Sequence, residues 1–204
     1  MSSPMDQKTF SSELDFINSS TIFIKVVLQK NRAIALSGGS TPKPIYKALA
    51  QDKTIPWNHI QLFEVDERYV PADHPDSNHH LIKNYLLSPP PSLKLRRAGI
   101  SYPNNWHFFN TTLPIPAALD QYEAIVRQHQ PFDLCILGMG QDGHTASLFP
   151  HSEALYEAER LVAHTTTDAF PVHDRLTLTF ASIMASKKLL LLLKGMWLLL
   201  LLFS

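Results

Sequence analysis

The 204-residue chain has one cysteine, Cys135, and so cannot close an intramolecular disulfide. Set in the apolar run Leu134-Cys135-Ile136-Leu137 with no cationic neighbour, the thiol reads as a buried structural group, and the chain as a cytoplasmic protein. Net charge is absent too, since eighteen Lys and Arg balance eighteen Asp and Glu. That balance speaks against a general nucleic-acid or anionic-membrane surface, which needs a basic excess, but it leaves room for a local anion site. No charged segment followed by an apolar one opens the chain, so no secretory leader is expected. The ten histidines include no HExxH and no Cys/His spacing, which gives metal binding little support. A Gly-x-Ser-x-Gly elbow, an internal repeat and a flexible linker are missing as well, and one domain over residues 1–204 is the economical reading.

What is present is apolar content, 45% of the residues, enough for a substantial core. Residues 14–28 have the spacing of an imperfect helix, and Ala33-Ile34-Ala35-Leu36 reads as a buried strand broken by Ser37-Gly38-Gly39-Ser40-Thr41-Pro42. Pro42 suits the first turn of a following helix, whose apolar face carries Tyr46, Leu49 and Ala50. A second unit runs from the alternating strand 60–65 into Asp66-Glu67-Arg68-Tyr69-Val70-Pro71, with Asp76-Ser77-Asn78 offering an N-cap to the next helix. Residues 88–116 are proline-rich and irregular apart from a short strand at 106–109. A helix at 117–128, strands at 132–137, 161–163 and 175–179, a short helix and a strand at 189–193 complete the pattern. Strands alternating with helices predict an α/β fold: a mostly parallel, Rossmann-like sheet flanked by helices on both faces.

The most informative stretch follows the strand at 132–137: Gly138-Met139-Gly140-Gln141-Asp142-Gly143-His144-Thr145-Ala146-Ser147-Leu148-Phe149-Pro150. A buried strand emptying into a glycine-rich turn that carries an acid and a histidine is the layout of an α/β active site. Free histidine titrates near pH ~6.5, so it can take a proton from water at neutral pH, and a nearby carboxylate can orient its ring. The residue 37–41 loop joins a strand to a helix start, where free N–H groups favour an anion, although such a loop is as often a simple tight turn. It carries neither the GxxxxGK[ST] nor the GxGxxG pattern. Arg68 also follows a strand and can hold a phosphate bidentately; alone, its acidic neighbours would make it only a surface ion pair.

In combination, the Ser37-Gly38-Gly39-Ser40-Thr41-Pro42 loop, the Asp66-Glu67-Arg68-Tyr69-Val70-Pro71 segment with Asp76-Ser77-Asn78, and the stretch from Leu137 to Pro150 resemble the 6-phosphogluconolactonase family. They stand in its order over roughly residues 10–193. The resemblance implies a cytosolic, metal-independent hydrolase of the oxidative pentose phosphate pathway that needs no cofactor, its partner a small phosphorylated sugar lactone. It implies His144 as the base that activates water, with Asp142 as its orienting partner and Asp66 as a further acid nearby. Gly38, Gly39, Ser40, Thr41 and Gly140 would line the substrate pocket, and Arg68 and Arg175 would hold the phosphate. The related glucosamine-6-phosphate deaminase type shares the first loop and a similar Asp-Gly-His, but it differs after the Asp-Glu pair and after the histidine.

Two segments depart from the family pattern. Asp168-Ala169-Phe170-Pro171-Val172-His173-Asp174 stands in place of a proline- and lysine-rich segment before Arg175. Gly195 is followed by Met196-Trp197-Leu198, with leucine at a lysine position, and residues 194–204 form an atypical apolar tail. Spanning a bilayer takes about 20 apolar residues, so a membrane anchor is the lesser expectation. The tail is expected either to pack over the sheet in place of a closing helix or to lie exposed and promote aggregation. A truncated, catalytically weakened or silent sugar-phosphate-binding isoform is the corresponding functional expectation. Oligomeric state is not legible.

Overall fold

The computed structural model describes residues 5–30, 32–87, 105–193 and 198–203. Most of the irregular proline-rich segment, and Lys194, Gly195, Met196 and Trp197 of the tail, lie outside them.

Strands β1 (Met5–Thr9), β2 (Ala33–Leu36), β3 (Gln61–Glu64), β4 (Asp66–Arg68), β5 (Trp106–His107), β6 (Leu134–Gly138), β7 (Val162–Thr166), β8 (Asp174–Leu178), β9 (Lys188–Leu193) and β10 (Leu198–Phe203) form two sheets. The larger has the order β1-β10-β9-β6-β2-β3-β5, parallel from β9 to β5 and antiparallel at the β1 and β10 end. Central parallel strands are covered on both faces, which explains their unbroken apolar sequence. Alternate side chains project to opposite faces. Ile34, Leu36, Leu134 and Ile136 pack with α1 (Glu13–Leu28) and α2 (Lys43–Gln51), while Ala35, Phe63 and Cys135 pack with α4 (Ile115–His129) and α5 (Phe180–Met184). Cys135 is fully buried, and burial pushes its thiol up. Helix α3 (Asn78–Ile82) starts at its N-cap Ser77, whose hydroxyl accepts from His80 N–H at 3.1 Å.

Three expectations change. Asp66-Glu67-Arg68 does not merely follow the strand at 60–65 but forms a strand of its own, β4, which joins β8 and β7 in a separate antiparallel sheet. Val65 makes the transfer, its N–H donating to Leu36 of one sheet while its carbonyl accepts from Leu178 of the other. Pro42 is the N-cap of α2 rather than part of its first turn. The described part of the tail neither covers the sheet nor hangs free: β10 enters it between β9 and β1. Leu199 and Leu201 join the core that α1 covers, and Leu198 is buried opposite Leu193. A leucine run can fill an interior strand because both faces and both edges are then paired. The polar β1, with Asp6, Gln7 and Lys8 exposed, takes the outer edge, as edge strands require. No helix among the described residues is long and apolar enough to cross a membrane.

Candidate active site

From β2 the chain moves to β3 and β5 on one side and returns to β6 on the other. The switch point of the sheet therefore lies between the C-terminal ends of β2 and β6, where open α/β sheets bind ligands. A cleft of about 680 Å³ opens there. Gly38, Gly39, Ser40 and Thr41 line it from the β2 exit, and Asp66 and Arg68 from β4. Gly140, Asp142 and His144 line it from the β6 exit, and Arg175 from β8. Every candidate named from the sequence faces this one space.

The β6 exit is a compact turn. Gly140 N–H donates to His144 O at 2.8 Å, Gly143 N–H to Gly140 O at 3.1 Å, and Thr145 Oγ1 to Gly138 O at 2.9 Å. Gly138, Gly140 and Gly143 have the spacing of a dinucleotide fingerprint, but no helix follows them. The turn instead folds back and aims a histidine. Gly143 takes φ +86°, a conformation strained for other residues. A Cβ on Gly140 would stand 2.2 Å from His144 Cε1, so this glycine exists to let the imidazole lie over the turn.

His144 Nδ1 is 2.5 Å from Asp142 Oδ1, and its backbone N–H reaches the same oxygen at 3.3 Å. Slight burial pushes the Asp142 carboxyl upward, but the hydrogen bonds from His144 outweigh it and hold the group below its ordinary value. With the carboxylate accepting at Nδ1, the neutral imidazole carries its proton there and leaves the Nε2 lone pair free to accept one. Asp66 is buried and does not reach for the imidazole: its Oδ2 accepts from Ser147 Oγ at 2.8 Å, and its carbonyl from Asn78 Nδ2 at 2.7 Å.

Arg68 and Arg175 are directly opposed on β4 and β8. Arg175 is buried, and its Nε donates to Val172 O at 2.9 Å. Burial first, and the positive charge of Arg68 second, pull its guanidinium below its ordinary value, against the upward pull of Asp66, Asp76 and Glu67. Arg68 gives one N–H to Asp76 O, while its Nε is buried with no hydrogen-bond partner. Helix α2 begins beside them without a side-chain cap. Opposed cations and an uncapped helix start are features suited to holding an anion.

Four contributors escaped the sequence reading. Glu67 meets Arg68 through the backbone: its carboxylate accepts from the Arg68 N–H at 2.6 Å, and also from Ser77 Oγ and the N–H groups of Asn78 and His79, clamping the start of α3 to β4. Asn78 lies against Gly38, where a Cβ would meet its Oδ1 at 1.8 Å, so the two loops interlock only because residue 38 is glycine. Ser147 holds Asp66. Phe170 approaches His144 and Arg175 from the β7–β8 hairpin. Asn78 stood in a motif already singled out; the Phe170 contact has no local signal. Among the described residues no group of three His, Cys, Asp or Glu is placed to hold a metal.

Residues 21–196 match the family model described as glucosamine-6-phosphate isomerases/6-phosphogluconolactonase. The chain is 40% identical over 173 residues to the 6-phosphogluconolactonase of Thermotoga maritima, covering 84% of this chain and 73% of that protein. It is 38% identical over 189 residues to that of Synechocystis, covering 86% and 72%. The T. maritima crystal structure superposes with a TM-score of 0.75 at 35% identity, covering 87% of this chain and 79% of that one. The Trypanosoma brucei 6-phosphogluconolactonase superposes at 0.77 with 26% identity, covering 91% and 80%.

Proposed function

The chain belongs to the glucosamine-6-phosphate isomerase/6-phosphogluconolactonase family, and from that premise we propose that it hydrolyses 6-phospho-D-glucono-1,5-lactone to 6-phosphogluconate, in the oxidative branch of the pentose phosphate pathway. The observation that carries this reading is a single cleft in which a histidine–aspartate pair faces two opposed arginines. One pair suits water activation and the other a phosphate.

In this mechanism the substrate phosphate sits between Arg68 and Arg175, and the sugar lies along the loop of residues 37–42. Water attacks the lactone carbonyl carbon as His144 Nε2 takes its proton, and Asp142 steadies the imidazolium that forms. Backbone N–H groups of the glycine loop face the carbonyl oxygen as it gains charge. When the tetrahedral intermediate collapses, the bond from the carbonyl carbon to the ring oxygen breaks. His144 returns the proton to that oxygen, which leaves an open-chain acid and a regenerated base. The protein supplies position, a base and donors, and the reaction asks for no cofactor. A cytoplasmic setting accords with the single buried thiol.

The test is lactone hydrolysis by the purified chain, with spontaneous opening subtracted, beside ammonia release from glucosamine 6-phosphate. Lactone turnover without ammonia is the expected result. Ammonia release would move the chain to the deaminase branch, and 6-phosphogluconate binding with no turnover would make it a silent binding isoform.

A further inference from the structure

The β7–β8 hairpin brings an aromatic side chain into the cleft. Its loop is held by Thr167 N–H donating to His173 O at 3.1 Å, by Ala169 N–H donating to Thr167 Oγ1 at 3.2 Å, and by a 3.1 Å contact between His173 Nδ1 and Asp168 Oδ1. Pro171 restrains the preceding residue, Phe170, towards extended backbone. Phe170 is 38% exposed, and its ring meets both halves of the chemistry. Its centroid is 5.7 Å from that of His144 at an interplanar angle of 77°, and the guanidinium carbon of Arg175 lies 5.4 Å from the same centroid. Phe149 closes the group, 4.7 Å from His144 and 6.1 Å from Phe170.

A ring attracts a cation to its face and accepts another ring edge to face, and both contacts are directional. One side chain thus restrains the base and the anion anchor together, although one follows a strand of the larger sheet and the other lies in the smaller sheet. We propose that Phe170 is a positioning residue that sets the separation between Arg175 and His144, and that its exposed surface is the apolar wall against which the sugar ring lies. The identity of the ligand rests on the lactonase reading. A sugar phosphate held at Arg175 and attacked beside His144 runs past Phe170, and its C–H face displaces water from the ring.

The test compares Phe170→Ala, Phe170→Leu and Phe170→Tyr in the full chain, reading kcat, KM, melting temperature and calorimetric affinity for 6-phosphogluconate and inorganic phosphate. Phe170→Ala should lower kcat/KM about thirtyfold through both a higher KM and a lower kcat. It should also weaken both ligands while the melting temperature holds. Phe170→Tyr, which restores the ring, should recover kcat/KM to within about threefold of the original, and Phe170→Leu should not. An unchanged Phe170→Ala variant, or rescue by Leu equal to that by Tyr, would overturn the proposal. If the unaltered chain binds both ligands but opens no lactone, the lactonase reading fails while the affinities still decide the role of Phe170. If it binds neither, both fall.

Discussion

Arg68 and Arg175 stand directly opposite one another on antiparallel neighbours β4 and β8, with no acidic residue between them in the register. Like charges at opposed positions destabilise a sheet, so the pair makes physical sense as half of a complex whose other half is an anion. Inorganic phosphate or 6-phosphogluconate should therefore raise the melting temperature, by about 5–10 °C at a hundredfold excess over Kd. Arg68→Met should abolish most of that rise while leaving the melting temperature in phosphate-free buffer unchanged or higher. A ligand-induced rise that persists in the variant would count against the arginine pair as the anchor.

His144→Ala should cut kcat by roughly 10²–10⁴ and leave the circular dichroism spectrum unchanged, because the side chain sits on a turn. Asp142→Asn keeps the shape but replaces an acceptor-only carboxylate with a neutral amide that can also donate, so it no longer fixes the proton on Nδ1 or offsets the imidazolium charge, and it should cost kcat about 10–100-fold with little change in KM. Equal activity in the two variants and the parent would remove this pair from the mechanism.

Glycine substitutions should separate geometry from folding. Gly140→Ala collides with His144 Cε1 at 2.2 Å and Asp142 Oδ1 at 2.7 Å, so it should lose at least about tenfold in kcat while the fold is retained. Gly38→Ala meets the buried Asn78 at 1.8 Å and should lower stability by about 1–3 kcal/mol, measured by urea unfolding.

Glu64 lies fully buried in β3, where burial and then the charge of Glu67 push its carboxyl well above its ordinary value; it accepts from Phe109 N–H at 3.1 Å. For an acid shifted upward, the stability of the folded form is full below the ordinary value of 4.5 and falls as pH rises through the folded value. Glu64→Gln keeps the shape and cannot ionise. Its melting temperature should exceed that of the parent by a margin that grows from pH ~5 to pH ~9; a constant margin would show that the folded chain does not hold the Glu64 carboxyl above its ordinary value.

Leu201 is 5% exposed, pairs with Leu190 across the β10–β9 ladder and belongs to the core that α1 covers. Leu201→Ala should cost about 2–4 kcal/mol in urea unfolding. A loss below about 0.5 kcal/mol would mean that β10 contributes little to the core.

Much of this architecture was legible because its causes are local. Unbroken apolar runs at residues 33–36 and 134–137 demand burial on both faces, and the glycine loops after them demand a turn. His144 and Asp142 are two residues apart in one such turn, so their pairing needs nothing remote. What only the tertiary structure decided involves partners distant in sequence. The register that opposes Arg68 to Arg175 depends on Val65 carrying the chain from one sheet to the other. The seat of Asn78 on Gly38 depends on two loops meeting, and the ring of Phe170 meets His144 only because a hairpin of the second sheet folds over the first. The leucine tail reads as a cover for the sheet or as an exposed liability, and it becomes an interior strand only because β1 and β9 supply its two edges. Periodicity reports which faces must be buried, whereas register and the approach of separate loops depend on how whole elements pack, and no short stretch of sequence encodes that.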